Sequence, residues 1–257
     1  MNARELVGEG RTAQIFAWDQ GRVVKLFRSF MGAGAAQHEM SVTVIAERAG
    51  APTPSLHGTV EIDGRAGIIY DRLAGPLMGE RLFIDDPFEL IAQLGALHAS
   101  IHACAAPELG PYAGRVRRSF PALGDRIAGA VEARLDQLGG GDTLLHGDLH
   151  PFNVMRDDRG WVAIDWDSAM RGDPMADVAR TLFLLVDSPM PEEVADTQLG
   201  RLRPELADVY LEAYASRGAL DRDRLEGWRL PTLAARTLED IPEEGDSIHR
   251  LIEQLVG

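Results

Sequence analysis

The chain has 257 residues, with 40 Asp or Glu against 26 Lys or Arg and a single cysteine, so its formal net charge is −14. This length can bury a substantial core, and one cysteine excludes an intramolecular disulfide and favours a cytoplasmic location. The negative charge disfavours nucleic acid as a partner. No apolar run approaches the ~18 residues of a membrane span, so we expect no membrane association.

The first chemical signature along the chain is a turn that contains two glycines. Gly8 and Gly10 occupy the first two glycine positions of a Gly-x-Gly-x-x-Gly-x-Val loop, with which kinases cover nucleotide phosphates, but Ala13 stands at the third. Glycines here would let backbone N–H groups approach the phosphates of a nucleotide, and Ile15 would cover one face of its adenine. Because two glycines also suit an ordinary tight turn, this loop alone is weak evidence.

Lys25 is the only lysine of the chain and lies in an apolar segment, 23–27, that we predict to be a β-strand. A buried ammonium group requires a partner of opposite charge. A nucleotide site supplies two such partners, namely the α- and β-phosphates of ATP and a glutamate from the following helix. The alternative is a lysine at a strand edge whose amine reaches water.

The spacing of apolar residues predicts a helix at 37–49, after a Gly/Ala-rich link at 31–36. Glu39 falls in the first turn of this helix and is the predicted partner of Lys25. The alternative is that Glu39 interacts only with the helix dipole.

The rest of the chain reads as mainly helical. The same periodicity predicts helices at 88–104, 122–138, 176–186, 204–216 and from 221 to the C-terminus. His98 and His102 lie one turn apart in the first of these helices, which is a spacing that can bind a metal ion. Because no third ligand is evident nearby in the sequence, packing or capping is the favoured role for this pair.

Residues 144–167 combine two carboxylates and one amide at a spacing that suits metal-assisted phosphoryl transfer. Asp148 precedes Asn153 by five residues, and Asp165 follows in an apolar segment predicted to begin as a strand. We predict that Asp148 orients the acceptor hydroxyl and takes up its proton, while Asn153 and Asp165 hold Mg²⁺ on the phosphates of ATP. Protein kinases use the same offset between Asp and Asn in their catalytic loop.

Two other interpretations of this segment remain. His146, Asp148 and His150 alternate and could converge on one zinc ion, as in a metal hydrolase. The Asp and Asn could also do no more than satisfy backbone donors of a local turn. Asn153 and the downstream Asp165 argue against both, because a magnesium site uses a few protein oxygen ligands and leaves the rest to phosphate and water.

Together these motifs resemble the aminoglycoside phosphotransferase and choline kinase-like superfamily of small-molecule kinases. The matching segments are 23–27, Glu39 with the Pro-x-Pro at 52–54, 94–99, 146–154 and 164–179. The resemblance extends to about residue 185 and then weakens.

The resemblance implies an α+β, bilobal protein-kinase-like fold. A small antiparallel-sheet lobe would span 1–70, a hinge 71–76, and a mainly helical lobe with the catalytic loop, metal site and acceptor cleft 77–257. In the hinge, Asp71 and Leu73 would bind adenine through their main-chain groups. His146 and His150 would orient the catalytic loop, and Asp173 and Asp177 would tie the following segment to that loop.

The distribution of charge bears on the acceptor. Residues 1–80 hold 8 Lys or Arg and 9 acids, whereas residues 81–257 hold 18 Arg and 31 acids, a net charge of −13. An acidic lobe would attract a cationic acceptor, such as an aminoglycoside-like antibiotic, and the protein would then confer resistance. The alternatives are a metabolic kinase of choline, homoserine or a thiosugar, a non-catalytic nucleotide-binding pseudokinase, and acids that serve solubility alone.

Overall fold

A computed structural model describes residues 5–190 and 192–257, apart from the side chains of residues 33, 192 and 193. The small lobe contains a five-stranded antiparallel sheet with the strand order β1-β2-β3-β5-β4. Its strands are β1 (Leu6–Glu9), β2 (Ala13–Asp19), β3 (Arg22–Phe27), β4 (Leu56–Ile62) and β5 (Arg65–Asp71).

One long helix, α1 (Gly32–Arg48), packs on this sheet. It starts earlier than the predicted residue 37, and Glu39 lies well inside it rather than in its first turn. The Gly/Ala-rich link is helical because packing of Ala36 on the sheet extends the helix and offsets the propensity cost of the two glycines. The expectation that Glu39 interacts with the helix dipole at the N-terminus is therefore wrong.

The helix α1 contributes to two cores. Ala36 packs with Phe27 and Ile68 of the sheet, whereas Val42 and Ala46 belong to the larger core of the helical lobe. The two lobes are therefore joined by packing along one helix, and Glu39 sits between these two contacts on the chain.

The large lobe is mainly helical and holds two short two-stranded antiparallel sheets, of which β7–β8 is a hairpin. Its helices are α2 (Met78–Arg81), α3 (Pro87–His102), α4 (Tyr112–Arg118), α5 (Phe120–Leu123), α6 (Asp125–Leu138), α7 (Pro174–Leu182), α8 (Glu192–Ala195), α9 (Gln198–Arg201), α10 (Arg203–Ala215), α11 (Arg222–Arg236) and α12 (Gly245–Val256). The paired strands are β6 (Thr143–Leu145) with β9 (Met170–Gly172), and β7 (Val154–Arg156) with β8 (Trp161–Ala163). A π-helical turn (Phe183–Asp187) follows α7.

Most predicted helices occur within a few residues of their expected bounds, with two differences. The helix predicted from 221 to the C-terminus is interrupted between α11 and α12, because Asp240 has a left-handed backbone (φ 46°) and Pro242 cannot continue a helix. The helix predicted at 176–186 changes into the π-helical turn at Phe183. Among the described residues, no helix has the length and apolar character needed to cross a membrane.

The predicted α+β, bilobal kinase-like fold is confirmed by this architecture, with its small antiparallel sheet and mainly helical second lobe.

Candidate active site

The small-lobe part of the site is set by strand register. Lys25 on β3 lies opposite Ile15 on β2 and Ile68 on β5, and Gly8 on β1 lies opposite Ile15. Gly8, Ile15 and Lys25 are thus neighbours across three strands, as a nucleotide site in the small lobe requires.

The lone lysine is buried and holds a carboxylate from each lobe. Lys25 Nζ is 2.7 Å from Glu39 Oε2 on α1 and 2.7 Å from Asp165 Oδ1 of the large lobe. The hydroxyl of Tyr70 donates to Glu39 Oε1 at 3.0 Å and fixes the orientation of that carboxylate. Nothing in the sequence links Tyr70 to Glu39, because the two residues are 31 positions apart.

Burial and charge act in opposite directions on this group. Burial alone would lower the pKa of Lys25, but the charges of Glu39 and Asp165 raise that pKa above its usual value. Burial also raises the pKa of Glu39, and the charge of Lys25 opposes this shift. Lys25 therefore stays protonated and can offer a fixed positive charge to phosphate oxygens.

The two loop glycines are not needed for the fold. Neither Gly8 nor Gly10 has a positive φ, and a Cβ atom at either position would come no closer than 3.8 Å to its neighbours. A side chain could therefore be accommodated without a ligand. The remaining reason for glycine at these two positions is that the backbone could approach the phosphates of a nucleotide closely.

In the predicted hinge, hydrogen bonds limit what the main chain can offer. The N–H of Asp71 donates to Ser55 O at 2.9 Å, so only its carbonyl oxygen remains for adenine. The carboxylate of Asp71 is 2.6 Å from His57 Nε2. Leu73 follows the end of β5, and its side chain is half-buried.

The catalytic loop between β6 and β7 has a backbone that only glycine allows at one position. Gly147 has φ +80°, and a Cβ atom there would lie 2.3 Å from Ser168 O. The N–H groups of His146 and Gly147 donate to the carboxylate of Asp177 at 2.6 and 2.9 Å. Asp177 thus ties α7 to the loop, as the family resemblance implied.

Asp173, expected to act in the same way, does something else. Its carboxylate caps the N-terminus of α7 by accepting from Met175 N at 2.9 Å. It also accepts a hydrogen bond from Trp228 Nε1 at 2.8 Å and forms an ion pair with Arg224. Asp173 therefore holds α7 against α11, and none of its described hydrogen bonds or ion pairs is with the catalytic loop.

The β7–β8 hairpin brings the two predicted metal ligands to one end. Asn153 precedes β7, Asp165 lies just after β8, and Val154 pairs with Ala163. The N–H of Ile164 donates to Asn153 O at 2.9 Å. Asp165 has φ 65° and ψ 65°, a left-handed conformation that is uncommon outside glycine and occurs often at functional sites.

The amide and carboxylate oxygens at this end of the hairpin suit a hard cation. The amide nitrogen of Asn153 donates to Asp148 O at 3.0 Å, which leaves its amide oxygen available. Partial burial and the negative charge of Asp165 raise the pKa of Asp167. This crowding of carboxylates would be relieved by a divalent cation with oxygen ligands.

Asp148 is held by basic side chains of the large lobe. Its Oδ1 is 2.7 Å from Nη2 of Arg180 on α7, and its Oδ2 is 3.7 Å from His150 Nε2. Burial alone would raise the pKa of Asp148, but the imidazole of His150 and the guanidinium of Arg180 outweigh it and hold the pKa well below its usual value. The carboxylate is therefore ionised at neutral pH, as a proton acceptor must be.

An ion-pair network extends from Arg180 to the segment between α11 and α12. Arg180 is 2.9 Å from Glu239, which also pairs with Arg236 and Arg115. Arg236 Nε is 2.5 Å from Glu244 Oε2. Two members of the acidic segment 239–246 are thus already neutralised by arginines, so they add little to the attraction of a cationic acceptor.

Replacing Arg180 by glutamine is expected to move the acid limb of the pH profile of kcat/KM to higher pH. Loss of an adjacent opposite charge raises a carboxylate pKa by roughly 1–3 units, so Asp148 would become protonated, and inactive, at a pH where the wild type still works. Arg115→Gln is the matched control, because Arg115 pairs with the same Glu239 at 3.0 Å. An acid limb that moves equally in both variants would contradict a direct effect of Arg180.

The zinc interpretation of the catalytic loop is not supported by geometry. The Nε2 atom of His146 is 3.1 Å from Ile164 O, and its Nδ1 accepts from Asp148 N at 3.3 Å. Both ring nitrogens of His146 are therefore occupied by backbone groups. His150 Nδ1 likewise accepts from Phe152 N at 3.2 Å, so both histidines orient the loop.

Two histidines of α3, His98 and His102, bind the carboxylate of Asp177. His98 Nε2 and His102 Nε2 lie 3.1 and 3.3 Å from Asp177 Oδ2. Their Nδ1 atoms lie 2.6 and 2.8 Å from the hydroxyls of Tyr210 and Tyr214. Burial lowers the pKa of His98 to about 4, so the His98 imidazole that binds Asp177 is neutral. The sequence could not reveal this third group, which lies 75 residues beyond His102.

Comparisons with known proteins agree with this geometry. The sequence model of the phosphotransferase enzyme family matches residues 5–228 of this chain. A choline/ethanolamine kinase family protein from Mesorhizobium loti is 16% identical, with a TM-score of 0.65 over 99% of this chain and 86% of that chain. No curated protein sequence matches this chain significantly.

Two further solved structures contain nucleotides. Aminoglycoside phosphotransferase APH(3'')-Id from Streptomyces rimosus, in complex with ADP and streptomycin, is 19% identical, with a TM-score of 0.58 over 90% of this chain and 92% of that one. The amicoumacin kinase hAmiN, in complex with AMP-PNP and Ca²⁺, is 14% identical, with a TM-score of 0.59 over 98% and 87%. The family match covers most of the chain, and this protein therefore belongs to the phosphotransferase enzyme family, as an ATP-dependent kinase that phosphorylates hydroxyl groups of small molecules.

Proposed function

We propose that this enzyme transfers the γ-phosphate of ATP to a hydroxyl of a small, cationic molecule, with Asp148 as the proton acceptor. The observation that carries the proposal is the contact of Lys25 with both Glu39 and Asp165, each at 2.7 Å. This contact brings together the ammonium group that would bind phosphate and the Asp165 carboxylate that would bind the metal ion. The two groups come from different lobes.

The nucleotide would lie between the lobes. In this proposal Lys25 contacts the α- and β-phosphates while Glu39 orients its ammonium group. Gly8 and Gly10 would cover the phosphates and Ile15 the adenine. Asp71, through its carbonyl oxygen, and Leu73, through its main chain, would hold the adenine edge. We accordingly keep 1–70 as the nucleotide-binding lobe, 71–76 as the hinge and 77–257 as the acceptor lobe.

Asn153 and Asp165 would hold Mg²⁺, which neutralises phosphate charge when bound. Asp148 would then orient the acceptor and receive its proton. The hydroxyl oxygen forms a bond to the γ-phosphorus, the bond from that phosphorus to the β,γ-bridging oxygen breaks, and ADP leaves. The ion pair with Arg180 keeps Asp148 ionised and oriented before the acceptor arrives.

The charge of the acceptor lobe supports a cationic acceptor. The net charge of −13 over residues 81–257 persists after the arginine pairs of Glu239 and Glu244 are counted, because it is already net of every arginine. Attraction would therefore come from the lobe as a whole. An antibiotic or a basic metabolite would both meet this condition. A cytoplasmic location, where ATP is available, agrees with the free thiol of Cys104.

The test is ADP release with Mg²⁺ and ATP across aminoglycosides, other basic antibiotics, choline, homoserine and neutral sugars. We expect turnover with at least one acceptor, and kcat/KM for cationic acceptors should fall with rising salt more than for neutral ones. Equal salt dependence would contradict the charge argument. Mg²⁺-dependent ATP binding without phosphorylation of any alcohol would contradict the transfer reaction.

A further inference from the structure

An apolar pocket lies in the large lobe next to the catalytic loop. Its volume is about 260 Å³, and most of its lining residues are apolar. We name it the Leu184 pocket; its apolar wall includes Leu82, Phe152, Leu184, Leu185, Leu199 and Leu206. A second cavity, of about 320 Å³, lies by the far end of the β7–β8 hairpin, near Trp161, and contains none of the predicted site residues.

The Leu184 pocket adjoins Asp148 through His150 and is linked to it indirectly through Ser188. His150 lines the pocket, and its Nε2 is 3.7 Å from Asp148 Oδ2. Ser188 also lines the pocket, and its hydroxyl donates to Glu244 Oε1 at 3.0 Å. Glu244 pairs with Arg236, whose Nη1 is 3.9 Å from Asp148 Oδ1. A molecule in the pocket whose polar end lies at His150 would therefore have that end next to the Asp148 carboxylate.

The pocket wall and the partner of Asp148 lie on one continuous helical segment. Arg180, on α7, contacts Asp148. Leu184 and Leu185 follow in the π-helical turn Phe183–Asp187. A π-helical turn is rare and occurs frequently at functional sites, because it widens the helix locally. Here the widened turn presents two leucines to the cavity, one turn beyond the residue that orients Asp148.

Arg203 is the arginine in the pocket lining, and its guanidinium already binds carbonyl groups of the protein. The guanidinium of Arg203 donates to Leu185 O at 2.6 Å, Leu184 O at 3.3 Å and Ser188 O at 2.7 Å. It thereby satisfies carbonyl groups that the π-helical turn leaves open. The pocket consequently offers a ligand a polar rim at His150 and Ser188, with an apolar interior.

We propose that the acceptor is an amphiphilic alcohol whose apolar alkyl or aromatic group fills the Leu184 pocket while its hydroxyl reaches Asp148. This inference rests on the proposed function and narrows its substrate class. The pocket volume of about 260 Å³ exceeds the roughly 150 Å³ of an engineered cavity that binds benzene, so a group of roughly ten non-hydrogen atoms fits. A polyhydroxylated group placed there would lose hydrogen bonds to water without replacement.

The experiment uses two series of alcohols with alkyl chains of increasing length, one of N-alkyl amino alcohols and one of neutral alkyl glycols. We expect kcat/KM to rise about fourfold per methylene until the pocket is full, in both series. Binding of the same compounds to the enzyme with ADP and Mg²⁺ is measured by calorimetry, which does not depend on turnover.

The variants Leu184→Asn and Leu199→Asn are expected to remove most of this dependence on chain length and to leave the KM for ATP unchanged. Both side chains are half-buried, so the fold should tolerate the change. The matched control is Phe30→Asn, at a side chain of the small lobe that is 72% exposed. This variant should keep the full dependence on chain length.

The outcomes separate the two proposals. Binding that strengthens with chain length but without phosphorylation supports the pocket and contradicts the proposed reaction. Phosphorylation with no dependence on chain length, an equal loss in Phe30→Asn, or no binding of any long-chain alcohol overturns the amphiphilic acceptor.

Discussion

Replacing Asp148 by asparagine should lower kcat for phosphoryl transfer roughly 10²–10⁴-fold, the usual contribution of a positioned general base. ATP binding should be largely retained, because the Asp148 carboxylate has no described contact with Lys25 or Asp165. Its one contact with a proposed metal ligand is a long hydrogen bond from Asn153 Nδ2 at 3.4 Å, which an asparagine side chain can still accept. The fold should persist, since Arg180 keeps Glu239 as a partner at 2.9 Å. The measurement is kcat for ADP release together with the ATP dissociation constant of each protein.

Asp85→Asn is the matched control for this variant. Asp85 also forms an ion pair with an arginine, at 2.6 Å from Arg81, but its side chain is exposed. An exposed pair of this kind contributes about 0–1 kcal/mol, so turnover should not change. Near-normal turnover in Asp148→Asn would remove Asp148 from the reaction, and loss of ATP binding along with turnover would assign it to the fold instead.

Replacing Asp165 by asparagine should abolish most of the gain in nucleotide affinity that Mg²⁺ provides. Residues that merely support metal ligands typically contribute 10–100-fold to metal affinity, so loss of a direct ligand should cost at least about 100-fold. Lys25 would keep Glu39 as its buried partner at 2.7 Å. Titrating ATP into each protein with Mg²⁺ and with a chelator measures the effect, and the two proteins should differ only when Mg²⁺ is present.

Asp63→Asn controls for the unusual backbone at this position. Asp63 has φ 52°, close to the φ of 65° at Asp165, and it lies in the exposed turn between β4 and β5. Asparagine tolerates this conformation, so the control should bind Mg²⁺ and ATP as the wild type does. A full Mg²⁺ effect in Asp165→Asn would show that the metal is held elsewhere.

The parts of the site that the sequence predicts are those whose chemistry is local in the chain. Asp148 and Asn153 are five residues apart on one loop, and a short hairpin returns the chain to Asp165. Lys25 was recognisable because a charged side chain interrupts an apolar strand. In each case, spacing alone limits where the groups can lie.

The parts that the sequence does not predict depend on distant contacts or on weak local preferences. Glu239 meets Arg180 across 59 residues, and nothing in the acidic segment around it distinguishes a buried partner from a solvated acid. The sequence predicts too late a start for α1 because Gly32 and Gly34 disfavour a helix locally, whereas packing of Ala36 on the sheet extends the helix. Tertiary contacts decided both cases.

The most direct test of the central claim is an experimental structure of the enzyme with a non-hydrolysable ATP analogue and Mg²⁺. The expected result is a nucleotide between the lobes, with Lys25 Nζ within hydrogen-bonding distance of its α- or β-phosphate. Oxygen atoms of Asn153 and Asp165 should lie about 2.0–2.1 Å from the metal. A nucleotide bound away from Lys25, or a metal held without Asp165, would contradict the account.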